Sequence, residues 1–223
     1  MVLPRPVRIP VEIVFDFVCP WCYLGVHRFA RTRLRRRDLA IHPIWRPFLL
    51  NPDMPRGGIS RTDYAARKFG DEERARRFYA AITDIAASEG LHVDFARIRR
   101  TPSSIDAHRL VRFAEPAGAA ETLVLAIFHA YFHDGVDIGQ TEALVDIAAE
   151  TGLDAEAARS FLLSDQAADL VHADNLYAHR LGINGVPCFV VDGSAAIAGA
   201  QEPDVLERLI ELANCDATPF GLA

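Results

Sequence analysis

The tetrapeptide Cys19-Pro20-Trp21-Cys22 constrains this chain more than any other feature, because of what stands on either side of it. Before it runs Val11-Glu12-Ile13-Val14-Phe15-Asp16-Phe17-Val18, an almost wholly apolar, β-rich segment that suits a strand covered on both faces. After it, Pro20 at a first helical position is a start signal. Val26, Phe29, Ala30 and Leu34 then recur at spacings that give a helix one buried stripe. Leu39-Ala40-Ile41-His42-Pro43-Ile44-Trp45-Arg46 reads as a second strand, with Pro43 marking an edge or a bulge. The two cysteines therefore stand at the strand-to-helix junction of a β–α–β unit.

From residue 51 to residue 164 the periodicity turns helical. A breaker-rich loop, Asn51 to Gly58, precedes helices whose buried faces are Ala75, Phe78, Ile82 and Ile85, then Ala107, Leu110, Val111 and Ala114, then Leu123, Ile127, Ala130 and Tyr131. Thr141 is placed to cap a helix carrying Leu144, Ile147 and Ala148, and Asp154 to cap one carrying Ala158, Phe161 and Leu162. A long helix over Asp165–Leu181 closes at Gly182. Two strands follow, Cys188–Val191 and Ala195–Ala198, and then a helix from Glu202 to Ala213. The pattern predicts an α/β fold with a mixed central sheet, its halves in 1–50 and 165–223, and an inserted all-helical domain over 51–164.

At 223 residues and 50% hydrophobic content the chain can bury a core without disulfide staples. A net charge of −6 argues against nucleic acid as a partner. The basic run Arg31–Arg37 lacks interleaved aromatics and reads as the solvated face and last turn of a helix. No segment approaches the ~20 apolar residues of a membrane span. Met1-Val2-Leu3-Pro4-Arg5-Pro6 lacks the apolar stretch of a secretory signal. The expectation is a cytoplasmic protein with neither membrane nor nucleic-acid partners. In that compartment a close cysteine pair is catalytic or metal-binding rather than structural.

The thiolate is the nucleophile in disulfide chemistry, and a helix N-terminus, with unpaired N–H groups and partial positive charge, favours an anion. Cys19 is thus assigned as nucleophile and Cys22, one turn further in, as the resolving thiol. Pro20 and Trp21 between them tune the pair. Zinc is the main rival reading of a CxxC, but it commonly needs a second pair. Cys188 and Cys215 are isolated in sequence. His129 and His133 are separated by Ala-Tyr-Phe, which is not the zincin pattern, and read as aromatic packing. No metal is expected.

Four stretches, Asp16 to Gly25, Trp45 to Pro55, Asp106-Ala107-His108-Arg109-Leu110 and Gly199-Ala200-Gln201, together with Gly185-Val186-Pro187, carry a family resemblance. The chain resembles the DsbA-like thioredoxin superfamily, in its FrnE-like branch, related to the 2-hydroxychromene-2-carboxylate isomerases and kappa-class glutathione transferases. That resemblance implies a thioredoxin-like fold and a cis Val186–Pro187 bond that faces the CxxC and offers the Val186 backbone to an extended substrate. It places Asp16 beneath the site, exchanging protons with Cys22, although a helix-capping carboxylate fits the position equally. Ser103 (where the family often has Asn), His108, Gly199, Ala200 and Gln201 would line the substrate cleft. His108 reads equally as a helix residue hydrogen-bonded at the domain seam. Cys188 replaces an aromatic common after the proline, and reads as a small buried hydrophobe or a third redox thiol; Cys215 has no evident partner.

The implied activity is thiol–disulfide exchange with a thiol- or disulfide-containing protein or small molecule. No cofactor is tightly bound, glutathione enters as a co-substrate, and a homodimer accords with the family. The rivals are a glutathione-dependent isomerase or transferase, whose members typically carry Ser at the first motif position, and a redox-independent chaperone or scaffold. The resemblance also allows a tailoring role in polyketide biosynthesis.

Overall fold

Strand β1 (Arg8–Phe15) is the axis on which the rest is assembled, in a computed structural model that describes residues 8–216. Met1–Pro6 and the side chain of Cys215 lie outside the described residues. β1 runs parallel to β2 (Ala40–Pro47) on one side and antiparallel to β5 (Cys188–Val191) on the other. β6 (Ala195–Ala198) pairs antiparallel with β5, completing a mixed sheet of order β2-β1-β5-β6. Pro43 lies on the edge strand β2, where a missing N–H is tolerated.

Alternation along β1 divides the core. Ile13 and Phe15 join Val26 and Phe29 of α1 (Pro20–Arg35) and Leu206 and Ile210 of α9 (Pro203–Asp216). Val14 belongs to a second cluster with Phe48, Cys188 and Ala178 of α8 (Ala168–Arg180). Both faces of β1 are therefore covered over its second half, which is why Ile13-Val14-Phe15 is continuously apolar rather than alternating. α8 starts at Ala168 rather than Asp165, because Ala167 takes a left-handed φ of 62°. Its far end is closed at Gly182 (φ 78°), with Ile183 N donating to Ala178 O and Gly182 N to His179 O, both at 3.0 Å.

For α1 one expectation is corrected and one, the exposed basic last turn, is extended. Leu34 is 61% exposed, because the face turned to α9 is centred on Val26, Phe29 and Thr32. The basic run is not merely solvated: Arg35 pairs with Asp204 and Glu207 of α9, Arg36 with Asp38 and Glu211, and Arg33 with Glu121.

Between the two halves of the sheet lie α2 (Arg61–Phe69), α3 (Glu72–Ser88), α4 (Ile105–Ala114), α5 (Ala120–His129), α6 (Thr141–Glu150) and α7 (Ala155–Leu163). Asp154 caps α7, accepting from Ala157 N at 2.8 Å. Thr141 is the first residue of α6 and not its cap; Gln140 holds that position without a side-chain bond. Ala130 and Tyr131 are buried, but in a π turn (Ala130–Asp134) that extends α5. The block is also not wholly helical. Two-residue strands β3 (Ile59–Ser60) and β4 (Arg100–Thr101) pair antiparallel within it. Strands so short leave no periodicity to read. One apolar cluster nevertheless runs unbroken from Ile13 and Phe15 of the sheet to Leu110, Phe128 and Ile147 of the helices.

This core encloses ionisable groups. Burial raises the Cys22 thiol well above its ordinary 9.0, reinforced by the hydrogen bond and charge of Cys19. Burial also raises Cys188, pushes Tyr23 up to about 12, and raises Tyr131. The unfolded chain releases these protons from pH 9.0 upward while the folded chain keeps them, so the native state holds more protons and stability falls with rising pH. The urea midpoint of the reduced protein is expected to drop between about pH 8 and about pH 10.5; a midpoint that rises would contradict this packing. The core also makes one close approach. A Cβ on Gly25 would stand 2.7 Å from Pro187 Cγ and 3.4 Å from Phe189 Cζ. Gly25→Ala is expected to cost about 1–3 kcal/mol in denaturant unfolding. An unchanged midpoint would show that α1 and the Pro187 loop are not in contact.

Candidate active site

The site begins where β1 runs out. Cys19 is the N-cap of α1 in an extended conformation (φ −93°, ψ 112°), Pro20 fills the first turn, and no side chain caps the helix. The backbone N–H groups of Cys22 and Tyr23 both donate to Cys19 O, at 3.0 and 3.2 Å. The closed turn sets the Cys22 thiol beside that of Cys19. Cys19 keeps 5% of its surface, whereas Cys22 is fully enclosed. Across from α1, the Val186–Pro187 bond is cis and the Cys19 thiol donates to Val186 O at 3.6 Å.

Asp16 lies beneath this pair, 1% exposed. Its carboxylate accepts from Val18 N at 3.3 Å and Leu50 N at 2.7 Å. The helix-capping alternative is thereby corrected: the carboxylate is committed to two loop amides and not to α1. Its negative charge adds to the rise of the Cys22 thiol, while a backbone hydrogen bond at Asp16 opposes it. His108, at 1% exposure, is packed against the rings of Phe15 and Phe17, and its Nε2 stands 3.8 Å from Asp16 Oδ1. Neither ring nitrogen has a hydrogen-bond partner. The seam hydrogen bond expected for His108 is absent, and so enclosed a side chain lines no open cleft.

The Gly199-Ala200-Gln201 loop stands beside the proline. Gly199 (φ 91°) donates its N–H to Pro187 O at 2.7 Å, and Ala200, like Trp21 and Val186, is partly buried against the edge of the core. Ala200 O accepts from Arg28 at 2.5 Å, and Gln201 Nε2 folds back to Ala198 O. Trp21 edges a groove of ≈ 700 Å³ that also takes in Arg28, Arg31, Glu89 and Glu202. Ser103 is not part of it: that residue opens onto a separate recess with Arg56, Asp106 and His172. His129 and His133 meet Asp134 on the turn after α5, the three donor groups lying within 4.8 Å of one another.

Three contributors escape a reading of the sequence. Arg28 is buried, joins the loop at Ala200 to Glu89 and Glu202, and so ties α1, α3 and the start of α9 together. Its signal is a cation set between the core residues Val26 and Phe29. Gly25, the last residue of the Asp16–Gly25 segment that holds the thiols, admits Pro187 against the helix, a contact that the segment itself does not announce. Asn175 of α8 is buried and accepts from Leu49 N at 2.8 Å, steadying the segment whose next amide binds Asp16. Nothing in sequence spacing connects it to the site. Cys188 is buried on the opposite face of the sheet, with Val14, Phe48 and Ile183.

Chemically, the arrangement offers one thiol at a helix start, a second enclosed behind it, and a backbone carbonyl facing the first. A family model described as DSBA-like thioredoxin domain matches residues 10–211. The crystal structure of a "probable DsbA oxidoreductase" from Streptomyces coelicolor is similar at TM-score 0.86 and 33% identity, over 96% of this chain and 94% of that one. YwbO of Bacillus subtilis, an uncharacterised protein, is 25% identical over 201 residues, covering 90% of this chain and 94% of its own. A 2-hydroxychromene-2-carboxylate isomerase shares the fold at TM-score 0.71 with 18% identity, over 94% of this chain and 99% of that one. On the match of the family model, joined to the thiol pair at the start of α1, this chain belongs to the DsbA-like thioredoxin domain family.

Proposed function

We propose that this protein is a thiol–disulfide oxidoreductase that reduces or isomerises disulfides through Cys19. The observation that carries the reading is the placement of the Cys19 thiol at the N-cap of α1, 3.6 Å from Val186 O, with the enclosed Cys22 behind it. In the forward step the Cys19 thiolate attacks one sulfur of a substrate disulfide, forming a mixed disulfide and expelling the other sulfur as a thiolate. Cys22, after losing its proton, attacks Cys19 and releases the second substrate thiol, leaving a Cys19–Cys22 disulfide. A thiol reductant such as glutathione, acting as co-substrate, returns the pair to the dithiol. Isomerisation omits the second step: the mixed disulfide is resolved by another thiol of the same substrate.

Burial of Cys22 suits this division of labour. A thiol held protonated by its surroundings does not compete for the incoming disulfide, and waits until the mixed disulfide forms beside it. The Val186 backbone lies where an extended substrate segment would run past Cys19. Trp21 and the neighbouring groove give such a segment both an apolar and a charged surface. The rival reading, a glutathione-dependent isomerase on the same fold, has no use for a second cysteine; the intact pair favours exchange. Cytoplasmic residence remains part of the proposal, since a reducing compartment returns such a pair to the dithiol that reduction requires. Among the described residues no helix is long and apolar enough to cross a membrane.

Cys19→Ser is expected to reduce insulin-disulfide reduction to the uncatalysed background, and Cys22→Ser to accumulate a mixed disulfide at Cys19. Wild-type turnover in Cys19→Ser would refute the assignment, and isomerisation of an aromatic substrate that survives Cys22→Ser would transfer it to the rival. In the native reduced protein, iodoacetamide is expected to modify Cys19 before Cys22, as read by peptide mass spectrometry. Prior modification of Cys22 would invert the roles.

A further inference from the structure

Away from the thiol pair, the fold gathers imidazoles at one surface point. α5 ends at His129 and continues through the π turn, whose i→i+5 hydrogen bonding widens the helix by one residue. The rings of His129 and His133 stack across that turn with centroids 4.3 Å apart and planes 22° from parallel. Both Nδ1 atoms face the Asp134 carboxylate, His129 at 3.2 Å and His133 at 2.8 Å. The ring of His92 stands edge-on to His133 with centroids 4.7 Å apart. Two of the eight histidines of the chain thus meet at one carboxylate, with His92 packed against the second of them.

Aromatic packing, the reading suggested by the sequence, is present in these rings but does not account for the carboxylate both of them face. The His129 side chain is 55% exposed and Asp134 42% exposed, so little burial is gained by holding the groups together. The turn that carries them is fixed from the inside instead. Ala130, Tyr131 and Phe132 are buried, and Phe132 and Phe128 stack on Tyr23. Gly135 (φ 73°) closes the turn, where a Cβ would stand 2.6 Å from Arg97 O. The donors are therefore presented on a rigid base at the protein surface.

The geometry points to a site for one zinc-class divalent ion, held by His129 Nδ1, His133 Nδ1 and an Asp134 oxygen, with a fourth position open to water. Zinc bonds of roughly 2.0–2.2 Å arranged tetrahedrally separate neighbouring donors by about 3.3 Å. His129 Nδ1 stands 3.2 Å from Asp134 Oδ2 and His133 Nδ1 stands 2.8 Å from Asp134 Oδ1. One donor atom from each residue lies within 4.8 Å of the others, so small side-chain rotations bring three donors to that spacing. Two imidazoles and one carboxylate suit zinc, nickel or copper, whereas calcium and magnesium require oxygen ligands throughout. One cation competes: Arg97 Nη1 lies 3.7 Å from Asp134 Oδ1, but that side chain is 55% exposed and free to swing outward.

Thiolates are themselves zinc ligands, so the test uses the full-length protein with its thiols alkylated. Titration with Co²⁺, followed by its visible absorption, and with Zn²⁺ by calorimetry is expected to saturate at one equivalent. Affinity should fall at least ~10-fold in His129→Ala and in His133→Ala, and stay unchanged in the distant His42→Ala. Mg²⁺ should not compete. Absence of saturable binding up to millimolar Zn²⁺, or full binding in the His129→Ala/His133→Ala double variant, would overturn the site. Neither result bears on the redox assignment, because the thiols are blocked throughout.

Discussion

Both walls of the thiol site hang from one strand. β1 ends at Phe15, a short turn before Cys19, and the register that pairs Val14 with Cys188 sets Val186 and Pro187 directly beyond the start of β5. The position of the nucleophile relative to the opposite backbone is thus fixed by strand pairing, not by loop conformation. Contact between Gly25 and Pro187 then brings helix and loop together at a distance no larger residue allows. A sheet built the other way round, with β5 beside β2, would leave a CxxC at a helix start facing nothing.

Burial does the rest by treating the two sulfurs unequally. Cys22 is enclosed among apolar side chains, with Asp16 as the nearest carboxylate, and each of these favours the neutral thiol. Cys19 keeps a small exposed surface and a carbonyl partner. Beneath them, Asp16 and His108 are two buried polar side chains of different standing: the first is satisfied by amides of Val18 and Leu50, the second by nothing in hydrogen-bonding range. The cost of leaving an imidazole unpaired is on the order of 1–3 kcal/mol, so the aromatic contacts to Phe15 and Phe17 must offset it.

Much of this is legible in the residues. The apolar run of β1 followed at once by Cys-Pro announces a strand–helix junction, and the Gly185-Val186-Pro187 step announces the opposite wall. What escapes depends on backbone geometry or on partners distant in sequence. Leu34 fits a helical period yet points to solvent, because α9, not the period, chooses the buried face. β3 and β4 are too short to carry a pattern. Arg28 resembles any arginine of a basic helix until the chain returns at Ala200 and Glu202 to meet it. His133 and Asp134 are adjacent in sequence, but only the π turn lays His129 over them.

The central claim is that Cys19 and Cys22 interconvert between dithiol and disulfide. Its most direct test is a redox titration of the purified protein in glutathione buffers, followed by Trp21 fluorescence and by counting free thiols on each species. The account predicts one two-electron transition in which Cys19 and Cys22 are lost and regained together while Cys188 stays reduced. Thiols that remain free across the whole range of glutathione poise, or a transition in which Cys22 takes no part, would contradict it.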